Sequence, residues 1–147
     1  MRVKKHTMKI LIMGLPGAGK THLAERLQRH LECAWFNADR VRESANDWDF
    51  SAEGRMRQAD RMKFYADFEV FNDRTAICDF VCPTEDTRKH FGADITIWVD
   101  TLEEGRFEDT NRVFEQPASV DHHITHHMTD QEIEELALCL KLAKADT

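Results

Sequence analysis

Eight residues constrain this chain more than any others: Gly14-Leu15-Pro16-Gly17-Ala18-Gly19-Lys20-Thr21. They match G-x-x-x-x-G-K-[ST] at every fixed position. The run before them, Ile10-Leu11-Ile12-Met13, is short and apolar, as a buried parallel strand should be. After them Leu23, Ala24, Leu27 and Leu31 recur at helical spacing. In a strand–turn–helix of this kind, glycines let backbone N–H groups point at one centre, and the helix adds its positive dipole end. The spacing therefore predicts an anion cradle made by Gly14, Pro16, Gly17, Ala18, Gly19, Lys20 and Thr21. Lys20 is expected to reach the β- and γ-phosphates of a nucleoside triphosphate, and the Thr21 hydroxyl to ligate Mg2+.

Length and charge narrow the setting. At 147 residues the chain is expected to form one domain over 1–147, with 1–7 a flexible basic extension carrying Arg2, Lys4 and Lys5. The balance of 20 Lys and Arg against 27 Asp and Glu gives a net charge of -7. A broad basic surface for nucleic acid is therefore not expected, and nucleic acid enters only as a substrate. No apolar run reaches membrane-spanning length, and the first apolar stretch is the strand before the glycine loop, so a cytoplasmic location is expected. Cys33, Cys78, Cys82 and Cys139 lack zinc-binding spacing and read as reduced core or near-core thiols.

Downstream, Ala34-Trp35-Phe36 reads as a strand delivering Asn37 to Arg42 at its carboxyl end, where open parallel sheets place ligands. That puts Asp39 and Arg42 near the phosphates, with a helix cap the competing role for Asp39. Ser51 is expected to cap a helix from about Ala52 to Asn72, although Gly54 stands where a capping box wants Glu. Along it Met56, Ala59, Met62, Ala66 and Val70 form an apolar stripe, which Phe64, Phe68 and Phe71 are expected to widen into the core. Arg57 and Arg61 read as a solvated face, and Arg55 as a substrate contact.

The third strand, around Thr75 to Val81, ends in Asp79, an acid suited to partner magnesium beside a P-loop. Thr84 should cap a short helix to about Phe91. The fourth strand covers Ile95 to Val99. Residues 103–117 are expected to form a short lid, with Arg106 and Arg112 able to swing onto the phosphates. His122, His123, His126 and His127 surround a short edge strand and have no acidic or cysteine partner at recognisable spacing. Thr129-Asp130-Gln131-Glu132 is a capping box that opens the last helix, with Ile133, Leu136, Ala137 and Leu140 inward.

Several of these motifs occur together in one family. The P-loop, Asp39-Arg40-Val41-Arg42, Asp49-Phe50-Ser51-Ala52-Glu53-Gly54-Arg55, Phe80-Val81-Cys82-Pro83 and Asn111-Arg112-Val113-Phe114 resemble adenylylsulfate kinases over residues 9 to 116. The resemblance implies transfer of the ATP γ-phosphoryl group to a hydroxyl acceptor, with Mg2+. It implies that Asp39 handles the accepting hydroxyl and the magnesium, and that Arg42, Asn46, Phe50 and Arg55 hold the sulfonucleotide. Here the lid is shorter than the family's, its second adenine-stacking phenylalanine has no counterpart, and Asp79 replaces a serine. Asn37 to Arg42 is also similar to the general-base segment of phage polynucleotide 5′-kinases, and Thr84 to Arg88 resembles their following helix. Nucleotides, polynucleotides and hydroxymethylated bases in DNA are thus alternative acceptors.

The expected fold is α/β: a P-loop NTPase-type three-layer sandwich with a mostly parallel sheet of about five strands. The family resemblance implies strand order 2-3-1-4-5. Lys20, Asp39 and Arg112 are the expected catalytic residues, and Thr21, Asp39 and Asp79 the metal-binding ones. A non-catalytic nucleotide-binding switch is the competing class; the combination of Lys20, Thr21, Asp39 and Arg112 points to a kinase.

Overall fold

The apolar run before the glycine loop forms β1 (Lys9–Met13), and all five of its residues are buried. The computed structural model describes residues 7–105 and 107–145. Arg2, Lys4, Lys5 and Arg106 lie outside them. Burying Ile10, Leu11, Ile12 and Met13 completely removes four large side chains from water. Each such burial is worth about 1.5–3 kcal/mol before entropy is charged against it. Strand β1 therefore takes the centre of the sheet, and the loop leaving it inherits a rigid base.

Around β1 lie β3 (Ala76–Asp79) and β4 (Ile95–Val99), with β2 (Ala34–Asn37) and β5 (His122–Ile124) as edges. The order is β2-β3-β1-β4-β5 and every pair is parallel. This is the order that the family resemblance implies. Ile12 and Asn37 both align with Asp79, and Met13 aligns with Trp98. Gly14, Ala38 and Phe80 consequently leave the sheet along one edge, where crossovers of a parallel sheet place their ligand-binding turns.

Helices cover both faces. On one face α1 (Lys20–Leu31) and α6 (Asp130–Ala145) bury Leu23, Leu27, Ile133, Leu136 and Leu140 with Ile10, Ile12 and Ile97. The other carries α2 (Ala38–Ala45), α3 (Ala52–Phe71) and α4 (Glu85–Phe91), burying Val41, Ala59, Met62, Ala66 and Phe91 with Leu11, Met13 and Cys78. A short α5 (Glu108–Val113) follows β4. The caps read from sequence form: Ser51 accepts from the Gly54 N–H, Thr84 from Thr87, and Thr129 and Glu132 bond reciprocally. No described helix is long and apolar enough to cross a membrane.

Two sequence expectations fail here. Phe64, Phe68 and Phe71 do not widen the core: they stay 72%, 60% and 89% exposed. Met62 and Ala66 already occupy the inner face, and at 100° per residue the three phenylalanines fall on the opposite side of α3. Cys139 is exposed on α6, unlike the buried Cys33, Cys78 and Cys82.

Candidate active site

Gly14 fixes how the loop departs from the sheet. Its φ of +151° and the position of Val99, whose carbonyl oxygen would lie 2.4 Å from an added Cβ, exclude a side chain there. The chain turns at once, with the Ala18 N–H donating to the Leu15 carbonyl at 3.1 Å. Thr101 Oγ1, just past β4, donates to the Ala18 carbonyl at 2.7 Å and braces the loop from the side. Gly19 precedes α1 with no side-chain cap. Lys20 is buried, and its Nζ donates to the Leu15 carbonyl at 3.0 Å, so the ammonium is folded across the loop.

Beside the loop, one side chain ties three elements together. Asn37 accepts from the Arg40 N–H through Oδ1, capping α2. Its Nδ2 donates to Thr21 Oγ1 at 3.2 Å and to Asp79 Oδ1 at 3.0 Å. Asn37 is therefore the cap of α2, and Asp39 is not. Asp39 stands exposed in the first turn, and among the described residues no hydrogen bond or ion pair engages its carboxylate.

Asp79 is almost wholly buried, 2% exposed, and takes a second bond of 2.6 Å from the Trp35 indole N–H. Burial pushes its carboxyl up to about 6, against the opposing pull of Trp35, Lys20 and Asn37, and the charge of Asp39 adds to the rise. Two carboxylates, a threonine hydroxyl and a buried lysine thus converge where β1, β2 and β3 end. This donor set fits Mg2+, which is held by one or two carboxylates together with substrate phosphates. Thr21, Asp39 and Asp79 are the groups that would hold it.

The loop between α2 and α3 is built by arginines. Arg42, buried, donates from Nη1 to the carbonyls of Asp47 and Asp49 at 2.8 and 3.1 Å. Arg57 grips the Asp47 carboxylate at 2.6 and 3.1 Å, and Arg61 bonds the same carboxylate. Arg57 and Arg61 are therefore not a merely solvated face, because they hold Asp47 well below the usual carboxylate range. Gly54 explains the incomplete capping box: an added Cβ would lie 2.1 Å from the Asp49 carbonyl oxygen, so the loop sits directly on the first turn of α3.

Phe50, half exposed, lies under two guanidinium groups, with Arg42 4.2 Å and Arg55 5.6 Å from its ring centre. Arg55 also donates to the Phe50 carbonyl at 2.8 Å and to Thr110 Oγ1 of α5 at 3.1 Å. Asn46 caps the end of α2 in the left-handed conformation.

Among the described residues of 103–117, Gly105 lies against the P-loop and the segment is anchored on two sides. At the first side Gly105 approaches Leu15 and Pro16 and exchanges hydrogen bonds of 2.7 and 3.1 Å with the Asn111 side chain. At the second, Arg88 of α4 donates to the carbonyls of Cys82, Pro83 and Glu115 and lies 5.2 Å from the Phe114 ring centre. Arg112 does not reach the P-loop; its Nη2 bonds Asp109 at 2.6 Å, with both side chains exposed.

Sequence reasoning missed Trp35, Thr110 and Arg88. Their signal is three-dimensional, since each acts on a partner more than five positions away or on another element. The histidines are divided: His123 pairs with Asp100 at 2.8 Å and stacks on Trp98, while His126 pairs with Glu132 at 2.7 Å. Among the described residues no three His, Cys, Asp or Glu side chains group as a metal site.

A glycine loop between the central strand of a 2-3-1-4-5 sheet and its first helix, with lysine and threonine at its end, defines a P-loop nucleotide-binding protein. Residues 10–108 match the family model described as AAA domain, and the chain belongs to that family. It is 30% identical over 101 residues to a probable adenylyl-sulfate kinase of Pseudomonas aeruginosa, covering 65% of this chain and 47% of that protein. It thus spans about half the length of that curated relative. The Mycobacterium tuberculosis APS kinase CysC, solved with AMPPNP and APS, superposes with a TM-score of 0.74 at 18% identity, over 96% of this chain and 98% of that one. Shikimate kinase from Aquifex aeolicus superposes with a TM-score of 0.64 at 17% identity, over 95% and 100%. These two share the fold.

Proposed function

We propose that the chain is an ATP-dependent phosphotransferase that moves the γ-phosphoryl group to the hydroxyl of a small anionic acceptor of the adenylylsulfate kind. The observation that carries this reading is the junction of Thr21, Asn37 and Asp79 beside the unengaged carboxylate of Asp39. A switch needs the P-loop alone; a kinase also needs a proton acceptor near the γ-phosphate, and in this reading the unengaged Asp39 takes that task. The similarity to a probable adenylyl-sulfate kinase supports it.

In this reading Lys20 leaves the Leu15 carbonyl for the β- and γ-phosphates, which sit in the backbone N–H cradle. Bound Mg2+ supplies charge neutralisation on those phosphates. Arg42, Phe50 and Arg55 hold the acceptor: a ring with two guanidinium groups beside it suits a planar base with an attached anion. The acceptor oxygen bonds to the γ-phosphorus as the bond to the β–γ bridging oxygen breaks. ADP departs, and the hydroxyl proton passes to Asp39. Residues 103–117 act as the lid that excludes water, with Arg112 turning from Asp109 to the phosphates.

The test is an acceptor screen with γ-labelled ATP and Mg2+, offering adenylylsulfate, nucleosides, DNA 5′-hydroxyl ends and hydroxymethylated DNA. Label transfer to adenylylsulfate is expected. Transfer only to DNA reassigns the acceptor, and slow hydrolysis unchanged by every acceptor returns the chain to the switch class.

A further inference from the structure

We propose that the outer face of α3 is the contact surface of a homodimer. Phe64, Phe68 and Phe71 follow one another at i, i+4 and i+7, on the side of the helix opposite Ala59, Met62 and Ala66. Tyr65 flanks them at 38% exposure, stacked on Phe36 of the edge strand at 5.2 Å. Together these rings leave roughly 500 Å2 of aromatic surface in water, at the upper end of what a monomer keeps as one patch.

A second copy fits this face for two reasons. The first is area. Two such stripes meeting bury roughly 1,000 Å2 from the rings alone, close to the lower limit of about 1,200 Å2 for a specific interface, before any rim is counted. The second is symmetry. A two-fold axis lying in the interface near Phe68 makes the helices antiparallel and sets Phe64 of each copy against Phe71 of the other. The charges near the stripe are already paired within the chain, Arg74 with Glu69 at 2.9 Å and Asp60 with His90. Arg57, Asp60 and Arg74 around it are each engaged by a side chain of the same chain, so the rim offers no block of positive charge to a polyanion or an anionic lipid surface.

The experiment is sedimentation equilibrium of the whole chain at micromolar concentration, with two variants. Wild type should sediment as a dimer. Phe68→Glu should weaken dimerisation by about 30-fold or more, the loss that follows removal of a central aromatic anchor. Because Phe68 is exposed, this variant should keep its far-ultraviolet circular dichroism. Phe68→Cys in a Cys139→Ser background should form a disulfide-linked dimer under a mild oxidant. A monomeric wild type overturns the proposal and assigns the stripe to a different protein. A dimer indifferent to Phe68→Glu, or a Phe68→Cys chain that does not cross-link, overturns it as well.

Discussion

The indole N–H of Trp35 donates to the buried carboxylate of Asp79 at 2.6 Å, reaching from the edge strand to its neighbour. Asn37, two residues further along β2, reaches the same carboxylate. The pair of bonds orients an acid that burial makes costly to ionise.

That cost gives the first prediction. In the folded chain Asp79 titrates near 6, against about 3.9 for a free aspartate. The folded state therefore takes up a proton between those values. The favourable contribution is complete below about pH 4 and is lost as the pH rises to about 6. At pH 7, Asp79→Asn removes the ionisation cost but turns an amide NH2 toward the donor of Asn37 or Trp35, so the ligand-free variant should lose the fall in stability between about pH 4 and about pH 6 that wild type shows. Phosphotransfer should be lost. Urea unfolding at pH 7 and pH 4 checks the sign: wild type should gain stability at the lower pH through this group, and the variant should not.

For Asp39, conversion to Asn keeps the shape and removes the basicity. A fall in kcat of about 10²–10⁴ is expected, the usual worth of a positioned acid–base group, with little change in ATP affinity. Asn37, not Asp39, caps α2, so the melting temperature should hardly move. Normal turnover by Asp39→Asn alongside a dead Asp79→Asn would move the base to the third strand.

Gly54→Ala tests how the acceptor loop is seated. The new methyl would meet the Asp49 carbonyl oxygen at 2.1 Å, so the loop must lift off α3. Overpacking of this kind costs about 1–3 kcal/mol. Because Phe50 lifts with the loop while Arg55 stays on α3, the acceptor KM should rise well beyond any change in the ATP KM. Equal rises in both would show that the loop serves the nucleotide instead.

Asp47 provides an acid-sensitive clasp on that loop. Hydrogen bonds from Arg57 and Arg61 hold its carboxyl far below the ordinary value. A depressed folded value means that the contribution is present above about pH 4, the unfolded range, and is lost as the pH falls further. The protection of residues 46–51 against hydrogen exchange, taken relative to the unfolded chain at the same pH, should therefore fall below about pH 4 in wild type. In Asp47→Asn the loop should already exchange fast at neutral pH.

Much of this architecture was legible because the signals are local. The run Ile10 to Met13, the P-loop and the caps at Ser51, Thr84 and Thr129 each need only a few adjacent residues. The strand order followed from family resemblance, since sequence pattern does not say which strands pair. The phenylalanines of α3 were misread for a physical reason. Helical spacing shows that Phe64, Phe68 and Phe71 share a face, but the choice between inner and outer face belongs to whatever already fills the core, here Met62 and Ala66. Trp35 gave no signal, because its partner Asp79 lies 44 positions away and only parallel pairing brings them together. Arg57 and Arg61 look like ordinary surface charges until the loop folds back to present Asp47 to them.

The two anchors of the segment against the P-loop carry an evolutionary consequence. Gly105 lies against Pro16 at one side, and Glu115 is held by Arg88 at the other. The stretch between them carries the short α5, and lengthening the connections that flank such a helix is inexpensive: doubling a flexible connection costs only about 0.6 kcal/mol of closure entropy. Insertions and deletions can therefore accumulate between the anchors while the anchors themselves stay under selection. On this basis descendants of one ancestor can diverge widely in the size of this segment and still seat it against the same turn of the P-loop.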